Sequence, residues 1–348
     1  MTDKKTMPRL TIASSPHIKN PISTQRIMLN VIIALIPVII ASTAIFGLRV
    51  LLNVVFASLI AVLTEFFARK IMKRPQTIQD LSAIVTGILL ALNVPKEMPL
   101  WQLGLGSIFA IALVKQAFGG IGQNIVNPAL ITRLALVSSF SDSFTAPSKP
   151  LTWFSSLFDG SIAITNGSTA IDAVSNATSL QILKGEIQSG ETVLHLLGII
   201  MGNRETLAVG EVCSIAILLG LIVLLALKII SWHIPVSFIG TVAICSLLYG
   251  SFSIDYMLLN IFAGGLLIGA VFMATDYATS PLTNKGKLIY GLGCGLITSM
   301  IRFWGSQPEG VSYSIIIMNI LTPHIDRWTL NQPYGIDKSK KSEQEAKV

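Results

Sequence analysis

The chain has 348 residues, of which 52% are hydrophobic and 12% charged, with a mean hydropathy of +0.68. Soluble globular chains carry roughly 25% charged residues, so the composition excludes an ordinary water-soluble domain and leaves a membrane protein. The net charge of +7 does not point to nucleic acid, because Lys and Arg sit between apolar runs, where they set topology and meet lipid headgroups.

Residues 1–26 form a polar, basic arm carrying Lys4, Lys5, Arg9, Lys19 and Arg26. The apolar run behind it has no small-residue cleavage site, so no cleaved signal peptide is expected. A bilayer core about 30 Å thick needs roughly 20 apolar residues in a helix. Runs at 27–46, 50–68, 100–118 and 209–228 fit that length, and 235–250 and 255–274 come close. Shorter runs at 82–94, 128–141, 288–303 and 311–323 read as helices closed by polar or glycine-rich ends, or as broken helices facing protein. Residues 193–202 are too short to span and read as re-entrant. Cys213, Cys245 and Cys294 lie inside apolar runs, at spacings that fit neither a disulfide nor a metal ligand set, so no metal site is expected.

Cytoplasmic loops carry the excess of Lys and Arg. That rule puts the N-terminal arm inside, and two crossings later it returns Arg69, Lys70, Lys73 and Arg74 to the same side. Three more crossings place 142–191 outside, where Lys149 and Lys184 face the five acids Asp142, Asp159, Asp172, Glu186 and Glu191. Five further crossings bring the 326–348 tail, with Lys338, Lys340, Lys341 and Lys347, back to the cytoplasm. The expected fold is an all-α polytopic membrane protein with about ten transmembrane helices, some broken or short. Its halves, 27–141 and 192–325, enter the membrane in opposite senses, an inverted five-plus-five arrangement. Two glycine-containing spans, 100–118 and 255–274, each run into an irregular polar segment, and the internal similarity is confined to them.

Three polar segments interrupt the apolar background. In the first, Phe118 to Ala129, Gly119, Gly120 and Gly122 allow positive φ, while Asn124 and Asn127 can donate and accept. A seat for a polar ligand or ion and a tight interhelical turn both fit this pattern. The second, Met273 to Pro281, holds Asp276 directly after an apolar run. An acid there is a functional candidate by default, although the span boundaries put it near the surface, where a helix cap is the simpler role. The third, Asp172 to Leu180, lies in the long outer segment and surrounds the Thr178 hydroxyl with small residues.

These segments, together with Ser15-Pro16-His17-Ile18, resemble a known family over about residues 10–328. The family is the D subunit of Rnf-type redox complexes and its relative, the B subunit of the sodium-pumping NADH:quinone reductase. The resemblance implies that Thr178, closing a motif matched by Asp172, Ser175 and Ala177, carries FMN through a phosphoester. Asn176 stands where the family usually has Gly, and Tyr277 where it usually has Pro. A flavin transferase would supply the FMN from FAD, with Thr178 Oγ attacking the FMN-side phosphorus. A second, noncovalent flavin is left open.

The resemblance also implies the A, B, C, E and G subunits as partners, residence in a prokaryotic cytoplasmic membrane, and coupling of ferredoxin/NAD electron transfer to Na⁺ or H⁺ movement. The sequence has no nucleotide-binding loop or iron–sulfur cysteine cluster, so no complete active site of its own is expected. Two other readings fit the residues: a flavin-free transporter or channel, and a glycosylated membrane protein bearing sequons at Asn166 and Asn176.

Overall fold

The computed structural model describes residues 23–144, 148–151, 198–202, 206–305 and 309–330. The regular elements among them are helical, apart from an isolated bridge between Ser148 and Thr206. Helix α1 spans Thr24–Phe46 and α2 Leu48–Ile71. Ser23 caps α1 by accepting the Arg26 N–H, and Gly47 at φ 96° turns the chain straight into α2. That positive φ is why a glycine stands between the two helices.

A 3₁₀ turn at Ile78–Asp80 leads into α3, Ser82–Leu92. Helix α4, Leu100–Ile108, continues as a π-helix over Phe109–Gln116. Helix α5, Pro128–Ser139, starts with Pro at its first position, where the missing N–H costs nothing. After a 3₁₀ turn at Val209–Glu211 come α6, Ser214–Ala226, and α7, His233–Tyr249. Helix α8, Ile254–Phe262, is followed by α9, Leu266–Ile268, which continues as a π-helix through Gly269–Met273. Helices α10, Asn284–Trp304, and α11, Val311–Thr329, complete the described chain.

The distribution of polarity is that of a protein solvated by lipid. Exposed apolar side chains recur at helical spacing: Leu29, Ile33, Ile36 and Ile40 on α1, Val55, Leu59, Leu63 and Phe67 on α2, and Leu288, Leu292, Leu296 and Met300 on α10. Charged groups are found inside instead: Glu65, Lys115, Arg133, Glu211 and Arg302 are all buried. Water would penalise the first set and reward exposure of the second, whereas hydrocarbon does the reverse.

Helices approach closely where one side lacks a side chain. Gly87 brings α3 against the Ser58 backbone of α2, Gly220 brings α6 against Ala34 O of α1, and Gly291 and Gly295 bring α10 against α7. Small residues at such contacts are what drives helix association when apolar surface alone gives no preference for protein over lipid.

Two ends can be distinguished. The 45–47 turn, Val94–Lys96, Ser148–Leu151 and Thr206–Val209 share one end: Leu151 N–H donates to Ile45 O, Lys96 N–H to Ser148 Oγ, and Val209 N–H to Val94 O. The start of α1, the Arg69–Arg74 stretch, 116–128 and 273–284 gather at the other, where Arg74 Nη1 donates to Gln116 O. The outer segment expected at 142–191 is thus flanked by residues at the end opposite the basic cluster.

The expected spans are realised unevenly. Among the described residues, α1 and α2 are the helices long and apolar enough to cross a membrane, and the bent pair α8–α9 makes a third span if it is counted as one. The 255–274 run is bent by 63° at its break. The 209–228 run, expected as a full span, becomes a helix of only 13 residues. Its first residues are drawn into a turn whose Val209 carbonyl accepts from Ser42 Oγ and whose Glu211 faces Arg133. About 20 Å of helix is all that 13 residues provide.

The α2–α3 contact is testable. A Cβ on Gly87 would lie 2.6 Å from Ser58 Cα, so Gly87→Ala must push two backbones apart. Overpacking of this kind costs about 1–3 kcal/mol, and the melting temperature of purified protein in detergent should fall. Gly240→Ala, on α7 with nothing within 4 Å of its would-be Cβ, should leave that temperature equal or higher.

Candidate functional site

Both π-helical stretches end in irregular polar backbone, and the two endings meet. Such stretches occur often at functional sites. After Gln116 the chain turns through Gly119, Gly120 and Gly122 at φ 127°, 104° and 83°. A Cβ on Gly120 would lie 2.5 Å from Arg69 Nη2, so the glycine also makes room for that guanidinium. The stretch ends at Asn127, whose Oδ1 accepts the N–H groups of Ala129 and Leu130 and so caps α5. Its Nδ2 donates to Met273 O at 3.3 Å, a carbonyl at the end of the second π-helix. One amide side chain thereby ties the two breaks together.

Beyond Met273, Thr275 Oγ1 donates to Val271 O at 2.6 Å, and the Asp276 carboxylate accepts from Thr279 Oγ1 at 3.4 Å. Tyr277, at the position where Pro would be usual, donates its hydroxyl to Ile229 O and fastens this segment to the α6–α7 connection.

Between the breaks lies a cavity of about 90 Å³. Its polar lining comes from Ser82, Thr86, Lys115, Asn124, Asn127, Thr275 and Asp276, on a background of apolar side chains from α1, α3 and α6. Asn124 Oδ1 is buried and has no hydrogen-bond partner. A space of this size holds a few waters or a partly hydrated cation. It is well below the roughly 300–1,000 Å³ of pockets for larger ligands.

Lys115 joins the cavity to a buried polar cluster. Its Nζ lies 3.1 and 3.2 Å from the Glu65 carboxylate oxygens and donates to Ser82 Oγ at 2.6 Å. Glu65 also accepts from Gln116 Nε2 at 2.6 Å and from Thr77 Oγ1 at 3.1 Å. Ser82 Oγ in turn donates to Asp80 at 2.6 Å. The Glu65 and Lys115 side chains are 1% and 2% exposed, and a charge so placed needs the other as its partner. Asp276 completes the wall, so the cavity has an ammonium among its lining groups, and a carboxylate.

The structure brings Asn124, Asn127 and Asp276 to one place from segments that are about 150 residues apart in the chain. Asp276 lies just past the end of the second π-helix and on the cavity wall, while the N-cap of α10 is Thr283, which accepts the Gly286 N–H at 3.0 Å. For the glycine segment the two readings merge: it is a turn, and it lines the cavity. Thr178, Asp172, Ser175 and Ala177 lie outside the described residues, as do Ser15 to Ile18. Sequence reading missed Glu65 and Lys115. The signal was available, since each is an ionisable residue inside a long apolar run. Among the described residues no group of three His, Cys, Asp or Glu is placed to hold a metal ion.

Comparison with known proteins gives the chain's family. The model of the NQR2, RnfD, RnfE family matches residues 11–335. The D subunit of the Na⁺-translocating ferredoxin:NAD⁺ oxidoreductase complex of Acetobacterium woodii is 44% identical over 95% of this chain and 97% of the relative. The D subunit of the proton-translocating ferredoxin:NAD⁺ oxidoreductase complex of Clostridium ljungdahlii is 39% identical over 93% and 96%. The D subunit of the ion-translocating oxidoreductase complex of Aliivibrio salmonicida is 36% identical over 94% and 99%. A match that covers both cavity-forming breaks and nearly the whole length has one meaning: this membrane protein belongs to the NQR2, RnfD, RnfE family.

Proposed function

We propose that the chain is the D-type membrane subunit of an Rnf-type complex, which couples ferredoxin/NAD electron transfer to the movement of Na⁺ or H⁺. The observation that carries this reading is its near-full-length likeness to the D subunits of complexes of that kind. Those complexes are named for different ions, which is why the cation is left as either. The A, B, C, E and G subunits are the proposed partners, and a prokaryotic cytoplasmic membrane the proposed site. The chain contributes position and electrostatics, and ferredoxin and NAD chemistry belongs to the partners.

Thr178 is the proposed attachment point for FMN, with Asp172, Ser175 and Ala177 forming the surrounding motif. When bound, the flavin supplies the one- and two-electron chemistry that protein side chains lack. In attachment, Thr178 Oγ displaces AMP from FAD at the FMN-side phosphorus and the hydroxyl proton is released. The reading requires a hydroxyl accessible to the transferase, which an extracytoplasmic 142–191 segment would offer.

The cavity is the proposed cytoplasmic seat of the coupled cation, with Asp276, Asn124 and Asn127 lining it. Its volume favours an ion with its water over a second, noncovalent flavin. An inverted arrangement of two five-helix halves is supported by the repeated feature in each: a π-helix, at Phe109–Gln116 and at Gly269–Met273, running into a polar break.

Three experiments test the proposal. With both termini cytoplasmic, an impermeant thiol reagent on intact cells should label cysteines introduced in 142–191 and spare those in 69–74; the reverse pattern sinks both the topology and the flavin placement. Asp276→Asn should cut ion transport by the assembled complex while Thr178-linked flavin remains, and normal coupled transport would remove Asp276 from the path. Thr178→Ala should abolish the flavin fluorescence of the denatured chain, whereas Asn176→Gln, which destroys the sequon but keeps the hydroxyl, should retain it. If wild-type protein made beside its transferase has no FMN-sized mass on the Thr178 peptide, the attachment claim fails.

A further inference from the structure

A second buried charged group lies away from the cavity and has no part in the function proposed so far. Arg133, on α5, donates from Nη1 to Ser312 Oγ at 2.9 Å and from Nη2 to Glu309, with Glu211 Oε1 3.8 Å away. The Arg133 and Glu211 side chains are 8% and 1% exposed, while Glu309 keeps 14%. The group therefore grades from a partly open acid, through a guanidinium, to a fully enclosed acid. Glu211 sits against the break between α8 and α9, where a Cβ on Gly265 would lie 2.5 Å from its Oε1.

The group lies beyond the cavity on two of the elements that line it, α5 and the α9 segment, and α11 joins it to Asn127. Helix α5 carries Asn127 to Ala129 at the cavity wall and Arg133 about one turn further on. The α9 segment carries Val271 and Phe272 at the wall, and Gly265 lies about two turns before them. Helix α11 carries Ser312 in the charged group and, about two turns on, Asn319. With its amide oriented to satisfy both ends, Asn319 accepts the Asn127 N–H at 3.2 Å and donates to Tyr290 at 2.5 Å. From the Arg69–Arg74 end inward, the order is cavity, then Asn127 and Asn319, then Arg133 with its two acids.

Ionisable residues in a membrane interior are costly, and a group that joins three separate segments around one guanidinium can separate only as a unit. A path that moves ions against a gradient needs a barrier on each side of its binding chamber, never both open together. We propose that Arg133, Glu211 and Glu309 form the barrier on the side of the ion path away from the Arg69–Arg74 end. It is closed while Arg133 pairs with the acids, and opens when a cation replaces the guanidinium beside Glu309. Charge is conserved in that exchange, since one cation takes the place of another at the carboxylate. The inference rests on the cavity being the chamber of the ion path.

The test uses the complete complex in proteoliposomes, reading passive ²²Na⁺ and proton leak without electron donor, and ions moved per electron with donor. Glu309→Gln, an isosteric change at a partly exposed side chain, should raise the passive leak several-fold and lower the ion-to-electron ratio while electron transfer continues. Arg133→Gln should leak more, and Arg133→Lys should restore part of the tightness. A purely structural role would reduce assembly, electron transfer and ion transport together, leaving their ratio unchanged. Glu309→Gln complexes that stay tight with a wild-type ratio overturn the proposal, and they do so whether or not Arg133→Gln assembles. Asp276→Asn in the same vesicles separates the two assignments: normal transport there with leak in Glu309→Gln removes the cavity residue and keeps the barrier, whereas impaired transport with a tight Glu309→Gln does the opposite.

Discussion

Asn127 uses both ends of its amide on backbone, and the site depends on that. Its oxygen holds the first N–H groups of α5 and its nitrogen holds the last carbonyl of the second π-helix. In hydrocarbon no water replaces a lost backbone partner, and each unmet group costs several kcal/mol. Irregular chain at membrane depth is therefore tolerated only where protein or a wet cavity satisfies it. Two such stretches placed face to face and joined by one side chain satisfy each other, and the space left between them is the cavity. Tyr277 extends the same economy by bonding to the α6–α7 connection.

Charge inside the bundle follows a similar logic. Insertion scales put an isolated charge at the bilayer centre at roughly 2.5–3.5 kcal/mol, so the interior ions come in groups. Glu65, Lys115, Ser82 and Asp80 form one hydrogen-bonded line beside the cavity, and Arg133 with Glu211, Glu309 and Ser312 forms the other. Arg302 is used differently: its Nη1 donates to Asn260 O at 2.5 Å, covering a carbonyl near the end of α8 where the helix breaks. Buried pairs of this kind add little net stability against apolar residues of the same volume.

Close helix contacts set how far these groups can move. Gly87, Gly220, Gly291 and Gly295 leave no space for a methyl group, so the α2–α3, α1–α6 and α7–α10 pairs are packed backbone to backbone. Helix α5 carries both cavity-wall residues and Arg133, and α11 carries Ser312, which Arg133 meets, and Asn319.

Much of this protein was legible in the sequence. The membrane class followed from composition, since runs of about 20 apolar residues have no other stable home. The positions of the helices followed from the same runs, and the polar segments at 118–129 and 273–281 stood out against them. Asn124, Asn127 and Asp276 could be picked individually by residue type. Their meeting could not, because a contact between Asn127 and Met273 across 146 positions leaves no local pattern. The same holds for Glu65 with Lys115 and for Arg133 with Glu309, where each partner alone is merely an unexplained charge. The length of α6 was misjudged for a related reason: hydropathy counts Val209 to Val212 as span, while a carbonyl taken by Ser42 and a carboxylate drawn to Arg133 bend them into a turn. Hydropathy is a property of a segment, and it determined where the apolar helices lie. Which buried polar group answers which is a property of packing, and only the tertiary structure decided it.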